Sequence, residues 1–447
     1  MTYTPHTTED RRMMLEAIGV ERIEDLYEGI PEGIRFPDFD LPPGISEMEV
    51  MRELQSYSEA NLDTKHVACF LGAGAYHHFI PSVVDHIIRR NEFYTAYTPY
   101  QPEVSQGTLQ AIFEYQSMIC NITGMDVSNA SHYDGATALA EAVILALNQF
   151  RLKRKKVVLS PRIHPQFREV VRTYMRGVDL EIAGDEQLDG DQGTLSDLLD
   201  ENTALVAVQY PDFLGEIEDF TDLGQAAQEV GALFCVVVNP LALGLLKPPS
   251  EFGADIVVGE GQTLGIPISF GGPYLGIFAT REKYVRKMAG RLVGETEDTR
   301  GQRGYVLTLT PREQHIRRDK ATSNICTNQG LMALASAVYL SMMGKSGLRK
   351  VAELCYHKAH YAAQKINDLD GYQLWTQGTF FNEFVLACPK PVAEINELLL
   401  DYDILGGYDL GKCFDEFQDH MLLAVTEMNT KDDIDNLVLA LEEVSYE

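Results

Sequence analysis

The chain has 447 residues, 45% of them hydrophobic, so it is long enough to bury the cores of two or three domains. Its 37 Lys and Arg residues stand against 66 Asp and Glu residues, and a formal net charge of -29 argues against nucleic acid and anionic membranes as partners. The seven cysteines are scattered, no signal-peptide pattern is present, and no apolar run approaches the roughly 20 residues that cross a bilayer. We therefore expect a cytoplasmic protein with reduced thiols.

Residues 1–63 are predicted to form a helix followed by an extended arm. Thr7 precedes the acidic Glu9 and Asp10 and an apolar-periodic stretch, which is typical of a helix N-terminus. Three prolines between residues 36 and 45 exclude a helix there. Such an arm either wraps a partner subunit or serves as a solvated linker, and the sequence leaves both interpretations open.

Residues 64–328 carry the pattern of a large α/β domain, in which helical stretches separate short apolar runs. Four such runs stand at residues 156–160, 204–208, 232–238 and 256–258. Continuous apolar strands alternating with helices predict a parallel sheet covered on both faces, with the active site at the carboxyl ends of the strands. Residues 329–447 begin with a long helical pattern and then alternate short strands with helices, which predicts a smaller α+β domain.

Two local patterns suggest chemistry that we do not expect. Residues 72–78 (GAGAYHH) resemble part of a dinucleotide-binding fingerprint, but His77 occupies the place of the third glycine, so we predict no NAD site. The glycines instead allow a loop to run close to a ligand or to a neighbouring backbone. His357 and His360 share a helix face near Cys355, but no further ligand is evident, so we predict no metal site.

The start of an alanine-rich helix, predicted to run to about residue 147, is a candidate anion site. Asp134 is a good N-cap, and Gly135 lets a ligand approach the backbone. The free N–H groups at such an end bind phosphate, although ordinary capping is the commoner role for a single helix. Thr137 lies in the first turn, and His132 lies just before the helix, where its ring could stack on a ligand or simply belong to the core.

Residues 94–107 (YTAYTPYQPEVSQG) form a segment dense in polar aromatic side chains, and its two prolines exclude a regular helix. The hydroxyls of Tyr97 and Tyr100 on such a stiff loop can bind a small carboxylate or a phosphate. Gln101 and Glu103 lie on the same loop. Tyrosine is also favoured at protein interfaces, so the segment is a candidate binding loop, an interface loop, or both.

Residues 317–320 place three basic side chains together in an otherwise acidic chain. Thr322, Ser323 and Asn324 add hydroxyl and amide donors directly after them. Such a set suits an anion such as phosphate or a carboxylate. Ion pairs with some of the many carboxylates of the chain are the competing interpretation.

Gln262 follows the predicted buried strand at residues 256–258 and precedes a tight loop at residues 270–273 (FGGP). In pyridoxal-phosphate enzymes of the aminotransferase-like fold, this strand end carries the lysine that bonds to the cofactor. Only a primary amine condenses with the cofactor aldehyde, and a glutamine amide does not. The chain therefore has the pattern of an enzyme scaffold whose cofactor anchor is missing.

Long motifs across nearly the whole chain resemble the P proteins of the glycine cleavage system, in their split two-chain form. The carriers of this resemblance are residues 97–107 (YTPYQPEVSQG), 128–141 (SNASHYDGATALAE), 253–259 with Gln262, 270–273 and 316–325 (IRRDKATSNI). The resemblance implies an aminotransferase-like fold, that is, fold type I of the pyridoxal-phosphate-dependent transferases. It also implies an α2β2 heterotetramer, in which the second type of subunit carries the lysine and the cofactor.

The activity implied by the resemblance is glycine dehydrogenase (decarboxylating). The partner's pyridoxal phosphate serves in the decarboxylation of glycine, and the aminomethyl group passes to the lipoyl arm of the H protein. Asn239 stands where such enzymes place an aspartate that keeps the pyridine nitrogen protonated. The chain therefore lacks this aspartate as well as the lysine that Gln262 replaces. We therefore expect a vestigial pocket in this chain, formed by His132, Asp134, Gly135, Thr137 and Gln262.

The contribution expected of this chain is to complete the partner's site across the interface. The predicted substrate or interface residues are Tyr97, Tyr100, Gln101 and Glu103, and the predicted phosphate-binding residues are Thr322, Ser323 and Asn324. Two alternatives stay open at this point. In the first alternative, the chain is a purely structural and docking subunit. In the second, it is an autonomous pyridoxal enzyme that uses another lysine, such as Lys247.

Overall fold

The computed structural model describes residues 6–185, 188, 192–310, 313–325 and 329–446. Residues 1–62 and residues 63–447 form two compact units. The helices are α1 (Thr8–Ile18), α2 (Glu47–Glu59), α3 (Ser82–Ile88), α4 (Asn91–Tyr94), α5 (Gln106–Thr123), α6 (Gly135–Gln149), α7 (Pro165–Met175), α8 (Gln192–Asp197), α9 (Thr221–Val230), α10 (Gln314–Arg317), α11 (Gly330–Asn367), α12 (Val392–Leu400) and α13 (Lys431–Tyr446).

The strands of the described residues fall into four sheets. They are β1 (Ala68–Cys69), β2 (Val127–Ser128), β3 (Lys156–Leu159), β4 (Glu181–Ala183), β5 (Thr203–Tyr210), β6 (Leu233–Val238), β7 (Ile256–Glu260), β8 (Gly276–Thr280), β9 (Leu292–Glu297), β10 (Arg303–Thr308), β11 (Gln373–Leu374), β12 (Glu383–Ala387), β13 (Ile404–Leu405), β14 (Tyr408–Asp409) and β15 (His420–Ala424).

The first unit contains α1 and α2. Helix α1 begins at a capping box between Thr7 and Asp10, which confirms the predicted N-terminus. Helix α2 begins at a second capping box, between Ser46 and Glu49. Residues 37–46 contain neither helix nor strand, as the prolines predict. Whether this stretch wraps a partner subunit stays a prediction.

The second unit is built on a seven-stranded sheet in the order β2-β8-β7-β6-β5-β3-β4. The five strands from β7 to β4 run parallel, as the apolar runs predict, whereas β8 is antiparallel to both β7 and β2. Alternate residues of each central strand face opposite sides. In β6, Val236 and Val238 join the core cluster that includes residues of α5, α9 and α11, and Cys235 and Val237 join the cluster that includes residues of α6 and α7. Both faces of the sheet are therefore buried.

The C-terminal part of this unit contains an antiparallel sheet in the order β11-β12-β15-β14. It packs in a third core cluster with α12, α13 and the second half of α11. Strand β1 pairs in parallel with β13, so the chain before the central sheet is tied to this part. The predicted strand at residues 383–387 is confirmed as β12. Whether residues 64–328 and 329–447 act as separate domains stays a prediction.

Helix α11 is long and apolar enough to cross a bilayer, by length and composition alone. Its backbone departs from helical geometry at Gly344 (φ 58°), and residues such as Tyr339, Cys355 and Ile366 are buried in the protein core. A buried core helix meets the same criterion of length and apolar composition. The absence of a membrane partner stays a prediction.

Candidate functional site

The carboxyl ends of β5, β6 and β7 surround a small polar cavity of about 40 Å³, beside Gln262. This edge is where parallel sheets place their ligands. Its lining residues are Gly74, Tyr76, His164, Phe167, Gln209, Val237, Val238, Asn239, Glu260 and Thr263. We call this set the closed pocket, because the cavity has room for a few water molecules and not for a cofactor.

Gln262 acts as a structural side chain at the closed pocket. It lies in a short 3-10 helix, Gly261–Thr263, that follows β7, and it is 1% exposed. Its Oε1 accepts from the backbone N–H of Tyr76 (2.9 Å), and its Nε2 donates to the carbonyls of Tyr76 (2.9 Å) and Ile266 (2.7 Å). The amide therefore ties the loop that contains Tyr76 to the end of β7, in the place where a cofactor-bonding lysine is expected.

Glu260 places a carboxyl group at the N-terminus of α6, where a phosphate is expected. The backbone N–H of Gly135 donates to Glu260 Oε2 (3.0 Å), and the N–H groups of Gln262 (3.0 Å) and Leu275 (3.1 Å) donate to Oε1. Burial raises the pKa of Glu260 to about 8, against the lowering effect of these backbone donors. The chain thus supplies its own acceptor to a helix end that binds external anions in other proteins.

Asp134 and Thr137 satisfy the same helix end from within the helix. The carboxylate Oδ1 of Asp134 accepts from the backbone N–H of Thr137 (2.7 Å), and the Thr137 hydroxyl completes a capping box. The capping interpretation of Asp134 is therefore confirmed. A Cβ on Gly135 would lie 2.8 Å from the ring of Phe167 and 2.9 Å from the backbone nitrogen of Glu260, so the space at the helix end is already filled.

His132 does not line the closed pocket. Its ring is fully buried and stands edge-on to Phe278, with 4.8 Å between the ring centroids, and its Nε2 lies 3.0 Å from Asn129 Nδ2. Burial lowers the pKa of His132 to about 3, so the ring is neutral. Of the two roles left open for it, the structure supports a core histidine rather than a ring that stacks on a ligand.

The glycine-containing loop at residues 72–78 covers the closed pocket. Glu383 Oε1 accepts from the N–H of Ala73 (2.7 Å), and the hydroxyl of Tyr76 donates to Glu383 Oε2 (2.7 Å). The Nε2 of His164 lies 2.9 Å from the carbonyl of Ala73. A Cβ on Gly72 would lie 2.4 Å from the Cβ of Ala424, which confirms that the glycines let the loop run close to a neighbouring chain segment.

Pyridoxal phosphate does not fit the closed pocket as it stands. No amine is available at Gln262, the helix end is occupied by Glu260, and the neutral amide of Asn239 cannot hold a pyridinium as a carboxylate does. Lys247, the alternative anchor, lies 3.2 Å from the hydroxyl of Thr221 and 4.7 Å from the ring centroid of Phe252, and it does not line this cavity. We therefore derive no reaction step within this pocket.

A second site joins two segments that the sequence marks separately. Arg291 directly precedes β9, and its Nη2 donates to the hydroxyl oxygen of Tyr100 (2.8 Å). The guanidinium lies 5.4 Å from the centroid of the same ring. The same Nη2 lies 3.5 Å from the Oε2 of Glu313, and Glu313 lines a small cavity together with Arg291, Thr322 and Ser323. Arg291 thus stands between the tyrosine loop and the predicted phosphate-binding residues.

The other predicted residues of this region lie around Arg291 or at the surface. Ser323 turns inward, and its hydroxyl donates to Glu141 Oε1 (2.7 Å), whereas Thr322 and Asn324 are exposed. Gln101 and Glu103 are exposed, and so are the three basic side chains of residues 317–320. Residues 311–312 and 326–328, which flank this segment, lie outside the described residues. The roles proposed for these side chains stay predictions.

Within the described ranges, one group of side chains has a composition that could hold a metal ion. It consists of His78, Cys355 and Glu427. The Nδ1 of His78 lies 2.7 Å from Glu427 Oε2, and the thiol of Cys355 donates to the same oxygen (3.3 Å). The imidazole and the thiol therefore share one carboxylate oxygen, and the expectation of no metal site stays a prediction.

The side chains that sequence reasoning missed are Glu260, Glu383 and Arg291. Glu260 stands between residues 253–259 and Gln262, which carry the resemblance, so its position was a usable signal. Glu383 and Arg291 gave no signal in the sequence. A buried charged residue cannot be distinguished from an exposed one until the residues that contact it from distant parts of the chain are known. Glu383 contacts Ala73, which is 310 positions away in the chain.

Comparisons with known proteins show the family of the chain. Residues 1–441 match the family described as "Glycine cleavage system P-protein". A relative from Thermomicrobium roseum, named "Probable glycine dehydrogenase (decarboxylating) subunit 1", is 56% identical over 448 residues, which covers 100% of both chains. A crystal structure described as glycine decarboxylase (P-protein) in inhibitor-bound form superposes with a TM-score of 0.91 at 44% identity, covering 99% of this chain and 100% of that chain.

A more distant structure shows the fold alone. Glutamate decarboxylase from Lactobacillus brevis gives a TM-score of 0.70 at 12% identity, covering 93% of this chain and 96% of that chain. The predicted α/β, aminotransferase-like fold of the pyridoxal-phosphate-dependent transferases is confirmed by these neighbours. With a family match over nearly its whole length and a relative that it covers completely, the chain belongs to the glycine cleavage system P-protein family.

Proposed function

We propose that this chain is the lysine-lacking subunit of glycine dehydrogenase (decarboxylating) and acts only together with a partner subunit. The closed pocket carries this proposal, because Gln262 and Glu260 occupy the places of the cofactor anchor and of the phosphate. The relative from Thermomicrobium roseum is named as subunit 1, which supports the existence of a second subunit. That second subunit holds pyridoxal phosphate in our proposal, within an α2β2 assembly in the cytoplasm.

When bound to the partner, pyridoxal phosphate supplies the electron sink for the electron pair that glycine releases as carbon dioxide leaves. The residues of this chain bind and orient the reacting groups across the interface. Tyr97 and Tyr100 lie near the substrate, and Thr322 and Ser323 lie near the cofactor phosphate. The lipoyl group of the H protein accepts the aminomethyl group.

Exposed apolar side chains within the motifs that carry the resemblance support a surface that a partner covers. Tyr97 is 70% exposed, Val104 is 80% exposed and Phe270 is 98% exposed. Phe270 also adopts a left-handed backbone conformation (φ 54°), which is uncommon for an aromatic residue. Burial of a full aromatic side chain stabilises an interface by roughly 1.5–3 kcal/mol, so these residues are candidates for anchors.

Reconstitution of the two purified subunits tests the proposal. With pyridoxal phosphate, glycine and lipoylated H protein, we expect carbon dioxide release from the mixture and none from this chain alone. A Phe270→Ala variant should weaken association, and a Phe167→Leu variant, altered inside the closed pocket, should not. Carbon dioxide release by this chain alone, or an inactive mixture of two folded subunits, would overturn the proposed function.

A further inference from the structure

The strongest unexplained feature of the second site is the buried cation of Arg291, which is 4% exposed. Among the described residues, its Nε and Nη1 have no hydrogen-bond acceptor, and the Oε2 of Glu313 has no hydrogen-bond donor. At 3.5 Å, the Nη2 to Oε2 distance of this ion pair is longer than the 2.7–2.9 Å typical of charge-assisted hydrogen bonds. Buried guanidinium groups are ordinarily fully paired, so unused donors here indicate a site prepared for a ligand.

A cavity of about 220 Å³ adjoins this arginine. Arg291 lines it together with the tyrosine loop, the first turns of α5 and the start of α11. Tyr97, Thr98, Thr108 and Gln329 place polar side chains in its wall, and the rest of the wall is largely apolar. Arg291 is the charged residue among the lining residues, so the cavity combines one cation with room for a small molecule.

We propose that this cavity, here called the arginine cavity, binds the carboxylate of a small substrate, with Arg291 as the countercharge and Tyr100 as the residue that orients it. The inference rests on the proposed function, because the substrate that reaches this surface is the amino acid decarboxylated at the partner's site. A guanidinium matches the planar shape of a carboxylate and can donate two parallel hydrogen bonds to it.

The position of Tyr100 explains how the cation is kept available. Its hydroxyl accepts from Nη2, and its ring stands edge-on to His315 with 5.6 Å between the ring centroids. One nitrogen of Arg291 is thereby fixed, and the other two stay unused within the described part of the chain. Tyr100 is therefore a positioning residue, whereas Arg291 is the residue that contacts the carboxylate.

Steady-state kinetics of the reconstituted pair of subunits test this inference. Arg291→Gln should raise KM for glycine at least ten-fold, and added guanidinium ions should partly restore an Arg291→Ala variant. Arg281→Gln is the matched control, because Arg281 is also partly buried and donates to the carbonyls of Ala254 and Ser250, outside the arginine cavity. The control should keep the wild-type KM. A purely structural role of Arg291 would lower the yield of folded protein without rescue by guanidinium.

Competition distinguishes the two anions that could occupy the arginine cavity. Acetate should compete with glycine in the wild-type pair and lose that effect in Arg291→Gln, whereas inorganic phosphate should act equally on both. If phosphate inhibition alone disappears in the variant, the cavity serves the cofactor phosphate and the carboxylate assignment is wrong. An unchanged KM in a folded, active Arg291→Gln pair overturns the inference alone, whereas an inactive wild-type pair overturns the proposed function.

Discussion

Replacing Gln262 by methionine tests whether this residue has become a structural element. The change Gln262→Met keeps nearly the same length and volume but removes three hydrogen bonds, to the N–H and carbonyl of Tyr76 and to the carbonyl of Ile266. A buried hydrogen bond contributes roughly 1 kcal/mol net, so the loss should reach about 3 kcal/mol. The expected result is a clear fall in the free energy of unfolding of residues 63–447.

The measurement is urea unfolding of the isolated chain, followed by circular dichroism, with the midpoint compared between variants at equal slope. Gln225→Met is the matched control, since Gln225 is exposed on α9 and its Nε2 donates to Glu229, one turn away on the same helix. The control should stay within about 0.5 kcal/mol of the wild type. If Gln262→Met is equally neutral, the amide does not hold the closed pocket together, and the reasoning about it is wrong.

Three further predictions concern the two sites. Gln262→Lys should not bind pyridoxal phosphate, measured by absorbance and by mass after borohydride treatment, because Glu260 still occupies the N-terminus of α6. Tyr100→Phe should lower kcat/KM of the reconstituted pair by about ten-fold or more, since a hydrogen bond to a charged group contributes roughly 1.5–3 kcal/mol; unchanged kinetics would support the purely structural alternative. Burial raises the pKa of Glu383 to about 7, so its contribution to stability is complete below the ordinary carboxyl pKa and is lost as pH rises through about 7. Glu383→Gln should flatten the decline of the urea midpoint between pH 5 and 8, and an equal slope in both proteins would contradict this assignment.

The parallel core of the fold could be predicted from local sequence. The apolar runs at residues 156–160 and 232–238 contain β3 and β6, because a strand buried on both faces is largely apolar. The β9–β10 hairpin was missed, since four of the six residues of β9 are not buried and the strand lacks a continuous apolar pattern. The antiparallel direction of β8 also depends on connections that no local pattern reveals.

The two sites differ in how much of each could be predicted from the sequence. Gln262 was identified from residue chemistry, because an amide cannot replace an amine. The closure of the pocket could not be predicted from the sequence, because Glu260, Glu383 and the loop containing Tyr76 come together only when the chain folds. Arg291 meets Tyr100 across 191 positions, and only the three-dimensional structure shows that its charge is buried.

The most direct test of the central claim is to find which chain bonds to the cofactor. The two subunits are mixed with pyridoxal phosphate, treated with borohydride to make any lysine-bound cofactor permanent, and separated for mass measurement. We predict an unchanged mass for this chain and a cofactor adduct on its partner. An adduct on any lysine of this chain at equal stoichiometry, with none on the partner, would contradict the account.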